Sequence, residues 1–105
     1  MDEKLIRREI LLAFWKVHIL HHAAERPVFG QWMLEELRRH GHDVSPGTLY
    51  PLLDRMRKYG WLRCEVSGKG PRARKDYFLT DRGEEVLEGI RTFVNELHHE
   101  IKEAD

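Results

Sequence analysis

Apolar residues recur at helical spacing through most of this chain and give way to strict alternation once, just past its middle. From Leu5 to about Ala24, the residues Leu5, Ile6, Ile10, Phe14, Val17 and Leu20 hold the three–four spacing of a long helix. Leu11, Trp15 and Ile19 spread its apolar surface well beyond one stripe. Such a helix must bury two faces, one on its own core and one against a partner, most simply a second copy of the chain. Glu25-Arg26-Pro27 breaks the pattern, and Val28-Phe29 reads as a brief extended segment. Gly30 then opens a second helix to about His40, with Trp32, Met33, Leu34 and Leu37 facing a core, and Gly41-His42-Asp43 ends it.

The next stretch, Val44 to Gly60, is a short helix with both ends marked. Ser45 is an N-cap whose hydroxyl can accept a first-turn backbone N–H, and Pro46 suits the first helical position. Gly60 suits the left-handed position that closes a helix. Leu49, Leu52, Leu53 and Met56 form one apolar stripe; the opposite face carries Gly47, Thr48, Tyr50, Pro51, Asp54, Arg55 and Lys58. Small and hydroxyl residues at the front followed by cations are what a helix reading base edges needs, because close approach is allowed there. Pro51 removes a backbone bond and disfavours helix at Tyr50, so a bent or tightened first turn is expected.

After Gly60 the period becomes two. Leu62, Cys64 and Val66 alternate with Trp61, Arg63 and Glu65; Ser67-Gly68-Lys69-Gly70-Pro71 forms a loop, and Arg74 to Leu79 forms the return strand. Thr80 caps a last helix with Asp81 in its first turn. Leu87, Ile90, Val94, Leu97 and Ile101 make a coiled-coil seam along it, widened by Val86 and Phe93. The fold class is therefore mainly α with a small β-hairpin: a winged helix-turn-helix with N- and C-terminal dimerisation helices. One domain accounts for residues 1–105, with an interface helix over 1–24, the winged helix-turn-helix over 28–79 and a dimerisation helix over 80–105.

Net charge is zero, yet its distribution is not even. Residues 1–43 balance seven basic against seven acidic side chains; 44–79 carry eight against three, net +5; 80–105 carry three against eight, net −5. The positive block coincides with the capped helix and the hairpin, the pattern of a phosphate-binding footprint. A protein–protein adaptor of the same shape, the rival reading, has no use for that block. Candidate DNA contacts are Ser45, Pro46, Gly47, Thr48, Tyr50, Pro51, Arg55 and Lys58 on the helix, and Lys69, Arg72, Arg74 and Lys75 on the wing. No apolar run approaches the roughly 20 residues of a membrane span, the start Met1-Asp2-Glu3-Lys4 does not read as a signal peptide, and a single Cys64 suits a reducing cytoplasm.

The run Val44-Ser45-Pro46-Gly47-Thr48-Leu49-Tyr50-Pro51-Leu52-Leu53, then Gly60-Trp61-Leu62, then Tyr77-Phe78-Leu79-Thr80 with Gly83, resembles the PadR family of winged-helix transcriptional regulators in its short form with one C-terminal helix. The resemblance covers about Ile10 to the C-terminus and places the start of the recognition helix at Ser-Pro-Gly-Thr-Leu-Tyr-Pro. It implies a homodimer that binds an inverted-repeat operator in double-stranded DNA and represses transcription, often released by a small effector. The chain departs from the family at Gly30-Gln31, where Gly-Tyr is usual, and at Arg57, near which an acidic residue is usual.

Three further sets of residues carry candidate chemistry. His18 and His22 are spaced to chelate a metal ion from one helix face, with His98 or His99 to complete the site across helices that meet at an interface; surface histidines at helix ends are the plainer reading. Phe14, Trp15 and Phe93 lie on the interface helices and can line a pocket for a flat aromatic effector, or simply pack there. Cys64 has no histidine nearby in sequence and no catalytic pair of carboxylates stands out, so no enzyme is expected, and no cofactor beyond the metal ion considered above.

Overall fold

Asp2 caps the first helix by accepting the Leu5 N–H at 3.1 Å, and helix α1 runs over residues 3–25 in the computed structural model. The structure describes residues 2–103; Met1, at the head of the expected interface helix, and Ala104 and Asp105, at the end of the expected dimerisation helix, lie outside them. A π-helical turn at Arg7–Leu11 interrupts α1. This wider turn shifts the phase of the apolar positions. Trp15, Ile19, Leu20 and Ala23 enter the core, while Leu5, Ile10 and Phe14 stay on the outside.

Strand β1 (Val28–Phe29) leads into α2 (Gly30–Arg39), α3 (Pro46–Lys58), β2 (Leu62–Ser67), β3 (Arg74–Leu79) and α4 (Asp81–Glu103). Both α2 and α3 end in the same way. His42 N–H donates to Leu37 O and Gly41 N–H to Arg38 O; Trp61 N–H donates to Met56 O and Gly60 N–H to Arg57 O. Gly41 and Gly60 hold φ near +88° and +83°, the left-handed backbone that this double closure requires. The turn between α2 and α3 is pinned by Arg38, whose Nε donates to Val44 O at 3.1 Å.

The hairpin expected from alternation is present, with Leu62 opposite Leu79 and Ser67 opposite Arg74. It is not alone: β1 pairs antiparallel with β3, Val28 opposite Tyr77, giving a three-stranded sheet in the order β1-β3-β2. Val66, expected inward, is exposed because β2 runs out past the core toward the wing tip. The core gathers Trp15, Ile19 and Leu20 from α1, Met33, Leu34 and Leu37 from α2, and the whole predicted stripe Leu49, Leu52, Leu53 and Met56 from α3, closed by Leu62, Tyr77 and Leu87.

Thr80 ties the end of α3 to the start of α4. Its hydroxyl donates to Gly60 O at 2.5 Å and accepts the Gly83 N–H at 3.0 Å, while its own N–H donates to Trp61 O. Gly83 sits so close that a Cβ there would lie 2.1 Å from Trp61 O. The motif residues Gly60, Trp61, Thr80 and Gly83 are thus one joint. Beyond Ile90, α4 leaves the core and its remaining apolar residues are exposed. No helix is long and apolar enough to cross a membrane.

Candidate nucleic-acid interface

Helix α3 presents the face opposite its buried stripe. Ser45 occupies the N-cap in extended backbone, but its hydroxyl does not accept a backbone N–H as expected. The Thr48 N–H already donates to Ser45 O at 3.1 Å, so the Ser45 hydroxyl turns to Thr48 Oγ1 at 3.3 Å. Ser45 O also accepts the Leu49 N–H at 3.0 Å, so the helix starts as ordinary α-helix and continues through Pro51 without the tightened turn expected there. Ser45, Pro46 and Gly47 are exposed at the front, with Tyr50, Pro51, Arg55 and Lys58 behind them.

Tyr50 is 44% exposed. Its ring packs over Gly30, where a Cβ would lie 2.1 Å from Tyr50 Cε1. The glycine that opens α2 therefore makes room for an aromatic ring of α3. Gln31, at the departure from the family pattern, donates to Glu35 Oε1 at 2.9 Å and also borders the cleft beside Tyr50. Tyr50 and Asp54 form one side of a cleft of about 470 Å³, and Ala73, Arg74 and Lys75 at the root of the wing form the other.

The cations of this face divide into free and engaged. Asp54 holds Arg57 at 2.9 Å and Lys58 at 3.1 Å, and these hydrogen bonds, that of Arg57 foremost, keep its carboxyl below the usual range. Arg55 makes no ion pair among the described residues, so its charge on α3 is not neutralised within the chain. On the wing, Arg74 pairs with Asp76 at 2.8 Å and lies over the Phe29 ring at 4.0 Å. Lys69, Arg72 and Lys75 are exposed and have no ion-pair partner among the described residues. The wing tip turns through Gly68 and Gly70, both left-handed. Burial raises the phenol of Tyr77, which stands opposite Cys64 in the sheet.

The remaining candidates fall into three places. Trp15 does not share a surface with Phe14 and Phe93: it is 1% exposed in the protomer core, its ring edge-on to His42 and its indole N–H without a partner among the described residues. One residue along a helix turns a side chain by roughly 100°, which separates it from Phe14. Phe14 and Phe93 remain open, at 52% and 75%. Along the seam, Leu87 is buried and Ile90 half-buried, whereas Val94, Leu97 and Ile101 are exposed. His18 stacks loosely on His22, with ring centroids 6.4 Å apart, yet His18 is not in the ligand-forming group. His22 instead approaches Glu36 and His40 of α2, and His99 pairs with Glu103 on its own helix at 2.9 Å. Glu36 had a sequence signal that periodicity hides, its i,i+4 spacing to His40.

Comparison with known proteins follows this geometry. Residues 19–89 match the transcriptional regulator PadR-like family. The transcriptional regulator Rv3488 of Mycobacterium tuberculosis (strain ATCC 25618 / H37Rv) is 45% identical over 94 residues, spanning 90% of this chain and 88% of the relative. The X-ray structure of a PadR-like transcription factor from Bacteroides fragilis superposes with a TM-score of 0.81 at 25% identity, covering 95% of this chain and 98% of the other. A PadR-like transcriptional regulator from Bacillus cereus gives 0.76 at 29% identity, covering 93% of each chain.

Proposed function

The chain belongs to the PadR-like family of transcriptional regulators, DNA-binding proteins that are not enzymes, and from that premise we propose that it works as a homodimeric repressor bound to an inverted-repeat operator. The observation that carries this reading is the division of its surface. One side offers the α3 front with Arg55 and, beside it, the wing with the free cations Lys69, Arg72 and Lys75. Apart from these, Phe14, Phe93, Leu97 and Ile101 are uncovered on α1 and α4. The cationic side suits phosphates and base edges; the uncovered apolar residues suit a second copy of the chain.

In this reading Ser45, Gly47 and Thr48 approach base edges in the major groove, because they are small and lead the helix. Tyr50, Arg55 and the wing cations fix the register on the backbone. A flat apolar effector would act between Phe14 and Phe93 at the dimer contact, away from the DNA face, by favouring one angle between protomers over another. The joint at Thr80 would carry that angle from α4 to α3. The decisive experiment is to capture promoter fragments on the purified protein and sequence them. An inverted repeat protected on both half-sites is the expected result; fragments without symmetry would remove the dimeric operator reading.

A further inference from the structure

Among the described residues one charged side chain is buried, Glu36, 6% exposed on α2. Its carboxylate meets the Arg39 guanidinium and, at 3.2 Å, His40 Nε2. From α1, His22 reaches the same place: one ligand atom of each of His22, Glu36 and His40 lies within 4.8 Å of the others. We infer that these three residues form a site for a divalent transition-metal ion, Zn²⁺ foremost, bridging the end of α1 to the end of α2.

The donor set selects the ion. Two imidazole nitrogens and one carboxylate oxygen suit zinc, with one position left for water, whereas Mg²⁺ and Ca²⁺ prefer oxygen alone. In a closed tetrahedral zinc site neighbouring donors are about 3.3 Å apart, as bonds of about 2.0–2.1 Å require. The present spread therefore needs a contraction, and His40 can supply it because its side chain is 51% exposed and capping the last turn of α2. Burial and the neighbouring His21 hold His22 below its ordinary range, which favours the neutral imidazole. Trp32 stands edge-on to His22 at 5.4 Å, and His18 lies 5.7 Å from His40, so the imidazoles are walled on the inner side. Without the ion Arg39 compensates the buried carboxylate; the ion replaces it with a larger charge and frees the arginine.

A rival group, His21, His22 and Glu25, lies on a single helix, with His21 and Glu25 exposed. It lacks a buried carboxylate, and it would clamp nothing. The bridging site, by contrast, sits immediately before the Gly41 turn that sets α3, so an ion there would stiffen the joint between the two helices of the helix-turn-helix.

The test is titration of chelator-stripped protein with Zn²⁺ by calorimetry, and with Co²⁺ by visible absorption to report nitrogen and oxygen ligation. About one ion per chain is expected, and removing a ligand in His40→Ala or Glu36→Gln should weaken binding by about tenfold or more, at least the loss typical of a supporting residue. Glu25→Gln and His99→Ala should bind as the unmodified protein does. His40 is half-exposed, so His40→Ala keeps its fold even where Glu36→Gln does not, and thermal melting without metal verifies this. The absence of saturable zinc binding, unchanged binding in His40→Ala, or a loss seen only in Glu25→Gln would each overturn the site. The titration contains no DNA, so its failure is separable from failure of the operator reading.

Discussion

Tyr50 and Gly30 belong to different helices and behave as one residue pair. The ring lies where a Gly30 side chain would be, so the glycine fixes how far Tyr50 stands out over the cleft beside the wing. Tyr50→Ala removes a half-exposed ring and no core contact. It should weaken operator binding by about tenfold or more, the 1–3 kcal/mol of a good contact, while circular dichroism and urea midpoint stay unchanged. Gly30→Ala adds one methyl against the movable end of that ring and should displace it, lowering operator affinity to a similar extent. The double variant should bind no worse than Tyr50→Ala alone, since the same contact cannot be lost twice. Additive losses in that cycle would mean that Gly30 acts on DNA binding by another route. Sequence alone showed both residues at the ends of helices and not their contact, because nothing in a periodicity records which side chains of two helices meet.

Wing and recognition helix together form the electrostatic element, and its cations are unequal. Lys69, Arg72 and Lys75 are free, while Arg74 shares its charge with Asp76 and its face with Phe29. Changing each free cation to Ala should lower the slope of log affinity against log salt by about 0.9, one phosphate's worth of counterions. Arg74→Ala should lower it less, and the same holds for Lys58→Ala because Asp54 already neutralises Lys58. Binding measured over a salt series gives all five slopes, and equal slopes across the set would show that the ion pairs open on DNA. At this scale the sequence was most readable. The 3.6 period and the two glycine stops define α3 to the residue at Pro46, and alternation defines β2 and β3. What stayed hidden was non-local or cooperative. The extended segment at Val28-Phe29 was legible, but not its pairing with β3, nearly fifty residues later. The π turn in α1 follows no composition rule. The Thr80 hydroxyl was legible as a cap, but its donation to Gly60 O, twenty residues earlier in the chain, was not.

The whole molecule is stretched for its length. Its radius of gyration is 15.0 Å and its extents are 54 × 33 × 22 Å, where a compact domain of this size has a radius of about 13 Å. Both ends of the chain add to this: α4, whose 23 residues run for about 34 Å, touches the core only with its first turns, and the first turns of α1 bury no residue. A single protomer leaves Phe93, Val94, Leu97 and Ile101 of α4 in water, and likewise Leu5, Ile10 and Phe14 of α1. Apolar residues left uncovered on two helices of one elongated body are most simply covered by the same residues of a second copy. A two-fold arrangement of that kind would also set two recognition helices about 34 Å apart, one turn of duplex. Leu97 is central in the seam and 53% exposed in the protomer, so Leu97→Glu should leave the winged helix folded while placing a charge in the dimer contact. The variant is expected to sediment as a monomer at micromolar concentration, where the unmodified protein sediments as a dimer. Operator affinity should collapse toward that of one half-site, with the salt slope roughly halved, because half of the phosphate contacts are lost with the second protomer. A Leu97→Glu protein that stays dimeric would place the dimer contact elsewhere, and an unmodified protein that sediments as a monomer would remove the dimer and the operator symmetry with it.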